Sequence, residues 1–265
     1  MSEPSQAPHA NGDPATRGLT PAVPSRPHPT SDPADRLLVS EIFGPTIQGE
    51  GPAAGRRAIF IRLAGCPVGC TWCDTRYSWD PHAQDDQRPK TVRLVEDITS
   101  EVIDRAGNTN TIVVITGGEP LAQARALNPL VTQLRSSGRP VHLETAGVHD
   151  VSPTLLDQFE LIVVSPKLSN AGPQAAAALS RPALRNLARH DNTWFKFVIT
   201  NLSDLAEIAG LVKDIETNNV MVMAEGADPT RSLQLSRSIV DDVVSHGWSL
   251  SPRLHIWLWG DQPGR

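Results

Sequence analysis

From Leu37 to its end the chain alternates two kinds of segment, and this alternation restricts the fold more than any other feature. Short runs rich in β-branched residues, bounded by Gly, Pro or polar residues, have the length and composition of buried strands. They are "RAIFIRLAG", "TIVVITGGEP", "PVHLETAG", "LIVVSPK", "WFKFVIT", "NVMVMAEG" and, last, "RLHIWLWG". Between them lie five helical candidates: "TVRLVEDITSEVIDRAG", "NPLVTQLRSSG", "PQAAAALSRPALRNLARH", "SDLAEIAGLVKDIE" and "TRSLQLSRSIVDDVVSHG". Several start on a Ser, Thr or Asn cap and stop near Gly, as helix ends do. Buried strands alternating with helices specify an α/β fold around a parallel sheet. Six or seven such units are too few to close an eight-stranded barrel. The expectation is therefore a partial, TIM-like (β/α)6 barrel, with an open doubly wound sheet as the alternative.

Hydrophobic residues make up 39% of the chain, and much of the shortfall lies in residues 1–35, which hold eight prolines and no aromatic residue. Such a stretch cannot bury enough apolar surface to offset chain entropy, so it is expected to be a disordered tail. Residues 36–265 are then one folded domain. The tail is not the acid-poor, Arg-rich sequence of a transit peptide and has no apolar signal core. No stretch approaches the roughly 20 apolar residues of a membrane span. The formal net charge of −5 offers no electrostatic footprint for nucleic acid. A soluble cytoplasmic protein with neither membrane nor nucleic-acid partner is expected.

All three cysteines fall in "GCPVGCTWCDT", Gly65 to Thr75, as Cys66, Cys70 and Cys73 with the spacing C-x3-C-x2-C. An odd, tightly clustered set cannot staple a chain of this length by disulfides. Structural zinc wants four ligands, and here a fourth Cys is missing and His82 lies in a polar loop. A redox C-x-x-C pair would leave Cys66 unexplained. A [4Fe–4S] cluster with three protein ligands uses every thiol and leaves one iron open to another molecule, S-adenosylmethionine being the best-known occupant. Trp72 and Pro67 are expected to give it a dry shell, although Trp72 reads equally well as core packing.

In parallel α/β folds sites form where strands end and loops begin. Those ends carry Thr116-Gly117-Gly118-Glu119-Pro120, Glu144-Thr145-Ala146-Gly147, Ser165-Pro166-Lys167 and Glu225-Gly226, all expected on the rim that holds the cysteine loop. Arg62 sits mid-strand between Ile61 and Leu63, where an unpaired guanidinium is costly, so it should have a partner or a ligand. Glu144 and Glu225 are candidates for hydrogen bonds to substrate or ribose.

The cysteine motif after one strand and "TGGEP" after the next resemble the radical S-adenosylmethionine superfamily. "EIFGPTIQGEG" followed by "FIRLAGCPVGCTWCDT" resembles the 7-carboxy-7-deazaguanine synthase family within it, as do "LETAG", "VSPK", "FKFVI" and the terminal "RLHIWLWG". The resemblance runs from Leu37 to the C-terminus. It implies a reduced (β6/α3) partial barrel and the conversion of 6-carboxy-5,6,7,8-tetrahydropterin to 7-carboxy-7-deazaguanine with loss of ammonia, in 7-deazapurine and queuosine biosynthesis. It implies a [4Fe–4S] cluster on Cys66, Cys70 and Cys73, S-adenosylmethionine, and Mg²⁺ on the Thr75 hydroxyl, with Asp74 as the competing ligand. The substrate would meet Ile47, Gln48, Gly49, Glu50, Arg62 (through its carboxylate), Thr116 and Glu144. S-adenosylmethionine would meet Gly118, Ser165, Pro166, Lys167, Glu225 and Gly226. The expected partners are a flavodoxin- or ferredoxin-type electron donor and a second copy of the chain in a homodimer. Trp257 and Trp259 are expected on a last strand that folds toward the substrate. Two other readings stay open at this level: a glycyl-radical-enzyme activase, and a non-catalytic zinc-binding module.

Overall fold

The computed structural model describes residues 33–83, 90–262 and 264. The expected tail, apart from its last three residues, lies outside the described residues. Pro33–Asp35 form a short 3-10 turn that leads into the first strand.

Nine strands form one sheet: β1 (Arg36–Ile47), β2 (Arg57–Leu63), β3 (Thr91–Leu94), β4 (Ile112–Gly117), β5 (Val141–Thr145), β6 (Leu161–Val164), β7 (Thr193–Ile199), β8 (Val220–Ala224) and β9 (Ser249–Leu250). Their order is β3-β1-β2-β4-β5-β6-β7-β8-β9. From β2 to β9 every pairing is parallel, whereas β1 pairs antiparallel with both β2 and β3. Eight helices accompany them among the described residues: α1 (Val95–Ala106), α2 (Ala124–Ser136), α3 (Pro153–Leu156), α4 (Pro173–Ala177), α5 (Arg181–Ala188), α6 (Asp204–Ile215), α7 (Pro229–Ser245) and α8 (Leu254–Trp259).

The strand order decides between the two expected architectures. A doubly wound sheet reverses direction at a switch point and carries helices on both faces. Here each parallel strand is added on the same side of the last, which with right-handed crossovers sends every helix to one face. The main core shows this directly. Ile98 and Val102 of α1, Leu127 and Leu130 of α2, Leu184 of α5, Ile208 of α6 and Ile239 of α7 share one cluster with Ile61, Ile115, Leu143, Val164, Phe197 and Val222 of the sheet. The sheet remains open, with β3 and β9 as its edges. This is a partial barrel, with the β5-to-β6 crossover trimmed to the single turn α3.

Period-two alternation sends the intervening residues to the other, concave face. Its lower part is apolar, where Ala58, Phe60, Ile112 and Val114 form a smaller cluster with Phe43 and Leu161. Above it, in the same alternation, stand Arg62, Thr116, Glu144 and Lys196. Arg62 lies opposite Thr116 in the β2–β4 register.

Local assignments differ from the sequence reading in four places. β1 adds a long antiparallel strand before the first expected one. Thr91–Leu94, expected to open a helix, pairs with β1 instead. The long Ala-rich helix splits at Ser180, whose side chain caps α5 while Pro182 occupies its first turn, a position that favours proline. The terminal "RLHIWLWG" is not a strand: Leu254–Trp259 form α8, with Ile256 buried and Trp257 exposed. A short apolar run has no period to separate strand from helix, and here the two-residue β9 ends the sheet before it begins.

Candidate functional site

The cysteine loop leaves the top of β2 and is fastened to the top of β4. Gly118 N–H donates to the Leu63 carbonyl at 2.9 Å, and Glu119 N–H to that of Gly65 at 2.8 Å. A Cβ at Gly118 would collide with the Gly65 carbonyl oxygen and press on Cys66 Cβ, so this glycine is required for backbone-to-backbone packing under the cysteines. Its expected role, close approach of a ligand, is not what its missing side chain first serves. Glu119 is fully buried and structural: it accepts from Leu121 N (2.9 Å), Thr145 Oγ1 (2.7 Å) and Ala146 N (2.7 Å).

None of the three thiols is paired. Val68, Ala171 and Ala175 are buried around Cys70, and Cys66, Trp72, Cys73, Ala146 and Val148 pack against that group. Pro67 is exposed, so the dry wall comes from Val68 and the alanines instead. Of the two readings of Trp72, core packing is what the structure shows. It packs in this shell, and its indole N–H donates to the Asn170 carbonyl at 3.1 Å. Burial pushes the Cys70 thiol up to about 11 and raises that of Cys66 as well. Deprotonating such thiols requires positive charge, which bound iron provides and a neutral protein interior does not. Lys167 is the nearby cation: its Nζ lies 5.6 Å from the Trp72 ring centroid and donates to Ser165 Oγ at 2.8 Å. Its own burial lowers its pKa from the ordinary lysine value.

Among the described residues, no three His, Cys, Asp or Glu side chains are grouped closely enough to hold one metal ion. A single zinc ion would draw its thiolates to about 3.8 Å from one another, given tetrahedral bonds of about 2.3 Å. In a cluster with three protein ligands each thiolate binds its own iron, which uses all three cysteines. His82 is exposed in its polar loop. The three free cysteines and their apolar wall fit an iron–sulfur cluster.

The opposite side of the rim is polar and already internally paired. Gln48 Nε2 donates to Glu144 Oε1, and Thr116 Oγ1 to Glu144 Oε2, both at 2.8 Å. Gln48 Oε1 in turn accepts from Glu50 N–H at 3.1 Å. Thus four expected substrate residues from three segments meet in one chain of hydrogen bonds. Arg62 has the partner its burial demands: Nε donates to Glu41 Oε1 at 2.7 Å, and its guanidinium lies over the Phe43 ring. That bond engages Nε, and the guanidinium carries four further N–H groups on its Nη atoms. Ile47 is half-buried at the end of β1.

Glu50 is the most strongly perturbed carboxylate here. Burial alone would raise its pKa, but Lys196, Arg253 and His255 outweigh that and hold it well below the usual carboxylate range. Lys196 Nζ pairs with Oε2, Arg253 Nε donates to Oε1 at 3.0 Å, and His255 Nε2 lies 3.7 Å from Oε1. Arg253 also reaches Asp74 Oδ2 and the Gly226 carbonyl, each at 2.8 Å. One arginine therefore links the polar wall to the segment just after Cys73. Gly49 makes room for this arrangement, since a Cβ there would strike the His255 ring. Leu254 N–H closes the contact on the Gly49 carbonyl at 2.9 Å.

The remaining expected residues are placed as follows. Pro166 is buried beside half-buried Ser165, and Gly226 joins the network through its carbonyl. Glu225 is half-buried, held by its backbone N–H on the Ile199 carbonyl. Thr75 Oγ1 lies 3.7 Å from Cys73 Sγ. Lys196, Arg253 and His255 escaped the sequence reading. Lys196 carried a usable signal, because a lysine inside "WFKFVIT" breaks a buried strand just as Arg62 does. Arg253 and His255 were hidden by reading α8 as a strand.

Comparison with known proteins bears on the same rim. A family model described as a 4Fe-4S single cluster domain matches residues 47–163. A 7-carboxy-7-deazaguanine synthase of Pyrobaculum aerophilum is 39% identical over 235 residues, covering 87% of this chain and 98% of that protein. Another, from Escherichia coli K12, is 30% identical over 240 residues, covering 83% of this chain and 97% of that protein. The crystal structure of QueE from Escherichia coli superposes with a TM-score of 0.62 at 28% identity, covering 83% of this chain and 95% of that one.

Proposed function

The chain belongs to the 7-carboxy-7-deazaguanine synthase family, and from that premise we propose how its rim residues divide the work. It is a radical S-adenosylmethionine enzyme with an iron–sulfur cluster. It converts 6-carboxy-5,6,7,8-tetrahydropterin to 7-carboxy-7-deazaguanine with loss of ammonia, a step of queuosine-type 7-deazapurine biosynthesis. One observation carries the division of labour: an apolar loop with three unpaired thiols and a paired polar wall stand on one rim, joined through Arg253.

Cys66, Cys70 and Cys73 hold the [4Fe–4S] cluster, one thiolate per iron. When bound, the cluster and S-adenosylmethionine supply the one-electron chemistry that starts the ring contraction. The chain's own residues bind, orient and shield. Val68, Ala171 and Ala175 exclude water from the thiolates, and the Lys167 ammonium favours the charged form of Cys70. Ser165, Pro166 and Lys167, with Gly118, Glu225 and Gly226, form the bed for S-adenosylmethionine. Arg62 takes the substrate carboxylate with its Nη edge, a planar fork suited to two parallel bonds. Gln48, Glu50 and Glu144 face the amine and ring N–H groups of the pterin, with Ile47, Gly49 and Thr116 shaping the pocket. Glu50 serves as an acceptor throughout the neutral range because Lys196 and Arg253 keep it ionised.

Mg²⁺ on the Thr75 hydroxyl belongs to this proposal. Asp74 would be the better ligand by charge, but its carboxylate is engaged by Arg253, which supports Thr75 as the chain's contribution. A flavodoxin- or ferredoxin-type donor, a homodimer, cytoplasmic residence and a folded domain over 36–265 behind a disordered tail complete it. Among the described residues no helix is long and apolar enough to cross a membrane.

Anaerobic reconstitution with iron and sulfide, then incubation with S-adenosylmethionine, dithionite and the pterin, tests the assignment. The expected result is a brown protein that forms 7-carboxy-7-deazaguanine and ammonia. A colourless protein that retains zinc, or a reduced cluster that leaves the pterin unchanged, would overturn it.

A further inference from the structure

We infer that Trp79 adjusts the reduction potential of the iron–sulfur cluster by donating its indole N–H to the sulfur of Cys73. The inference rests on the assignment of Cys73 as a cluster ligand. Trp79 Nε1 lies 3.4 Å from Cys73 Sγ. An indole nitrogen can only donate, so the direction of this bond is not in question.

The donor is held in place from several sides. Ser78 N–H donates to the Thr75 carbonyl at 2.8 Å, and Gly65 N–H to the Ser78 carbonyl at 2.9 Å, which ties the turn before Trp79 back to the start of the cysteine loop. Trp79 N–H and Asp80 N–H both donate to the Arg76 carbonyl, at 3.1 and 2.8 Å. Arg76 Nη2 closes the same turn on Asp80 Oδ2 at 2.7 Å. Tyr77 OH, at its centre, donates to Glu41 Oε1 on β1 at 2.7 Å. The indole is therefore aimed at the sulfur before any cluster binds.

Reduction places extra negative charge on the cluster and its thiolate sulfurs, and an N–H aimed at one of them stabilises the reduced form. Removing the donor should make the cluster harder to reduce. The Trp79 donor on Cys73 belongs to a side chain, so substitution removes it and leaves the neighbouring Thr75 hydroxyl, 3.7 Å from the same sulfur, in place. Trp79 is thus a positioning residue for electron entry and need not touch substrate.

The test is a redox titration of the reconstituted protein without S-adenosylmethionine, followed by electron paramagnetic resonance. It compares wild type, Trp79→Phe and Trp79→3-benzothienylalanine, which keeps the indole's shape and lacks the N–H. Both variants should retain full iron and sulfide and show a midpoint shifted to more negative potential. The loss of one ordinary hydrogen bond corresponds to about threefold to tenfold in the reduction equilibrium, or roughly 30–60 mV at about 59 mV per tenfold for one electron. An unshifted midpoint in the benzothienyl variant would overturn the inference, even if Trp79→Phe lost iron, because Trp79 would then be a packing residue only. A wild-type chain that binds no cluster would overturn the ligand assignment itself, a different result from a bound cluster with an unmoved midpoint.

Discussion

The two sides of the rim are built on opposite electrostatic plans. The cysteine side is apolar, and burial holds Cys66 and Cys70 toward their neutral form. The polar side keeps its charges ionised by pairing them: Glu50 with Lys196 and Arg253, and Arg62 with Glu41. The difference lies in where the compensating charge comes from. Paired groups hold their geometry by themselves, so they can present fixed donors and acceptors to a small polar substrate. Thiols in an apolar wall exchange protons for a bound metal centre, whose charge adds to that of the nearby Lys167. Damage to the polar side should appear as lost stability or lost substrate affinity, and damage to the cysteine side as lost cluster.

The largest expected effect is on the cysteine side. Cys66→Ala, Cys70→Ala or Cys73→Ala should each abolish 5′-deoxyadenosine formation and sharply lower bound iron, while urea unfolding of the iron-free protein stays near wild type. Full turnover in any of the three would erase the contrast.

On the polar side, Lys196→Met should cost about 3–5 kcal/mol of stability, because it strips a buried carboxylate of one partner. Adding Glu50→Gln to that variant should recover part of the loss, and urea unfolding of the set measures both. A pH series sharpens the point. The Glu50 pKa is depressed below its ordinary value of 4.5 in the folded protein. Its contribution is therefore fully present above that value and is lost as pH falls toward the folded value. The stability gap between wild type and Glu50→Gln should narrow as pH drops below about 4.5, the ordinary value.

Arg62→Lys should weaken substrate binding with iron content and S-adenosylmethionine binding unchanged, since a point charge replaces the fork. Truncation in Arg62→Ala should cost about 2–5 kcal/mol of substrate binding, read by equilibrium titration. If Arg62→Ala instead lost its cluster and kept substrate affinity, Arg62 would belong to the cysteine side. The smallest effect is expected at Thr75: Thr75→Val should blunt the stimulation of turnover by Mg²⁺ and preserve the cluster. A magnesium titration that overlays wild type in Thr75→Val but flattens in Asp74→Asn would move the ion to Asp74.

The two sides also differ in how far they can be read from sequence. The cysteine side is local. Cys66, Cys70, Cys73 and Thr75 fall within ten residues, and spacing alone groups them. The strand–helix alternation likewise predicts the parallel sheet, because period and strand-end residues are properties of short windows. The polar side joins distant segments: Glu50 meets Lys196 and Arg253 across 146 and 203 positions. Nothing in a window around "TIQGEG" reveals that Glu50 will be ion-paired, and alone it reads as an exposed turn glutamate. The role expected for Gly118 illustrates the same limit. The motif singles out the glycine, while the backbone contact that requires it, the Gly65 carbonyl beside it, becomes visible only in the fold.

Whether the two sides act on one molecule can be measured by isotope transfer. The pterin substrate carrying deuterium at C6 would be turned over anaerobically by the reconstituted protein, and the 5′-deoxyadenosine and S-adenosylmethionine analysed by mass spectrometry. A single site predicts deuterium in the 5′-deoxyadenosyl group, as 5′-deoxyadenosine or as re-formed S-adenosylmethionine that has returned a hydrogen atom, together with formation of 7-carboxy-7-deazaguanine. Unlabelled 5′-deoxyadenosine alongside unconsumed pterin would contradict the account, because the cluster would then be working without the pocket that Arg62, Gln48 and Glu50 are proposed to form.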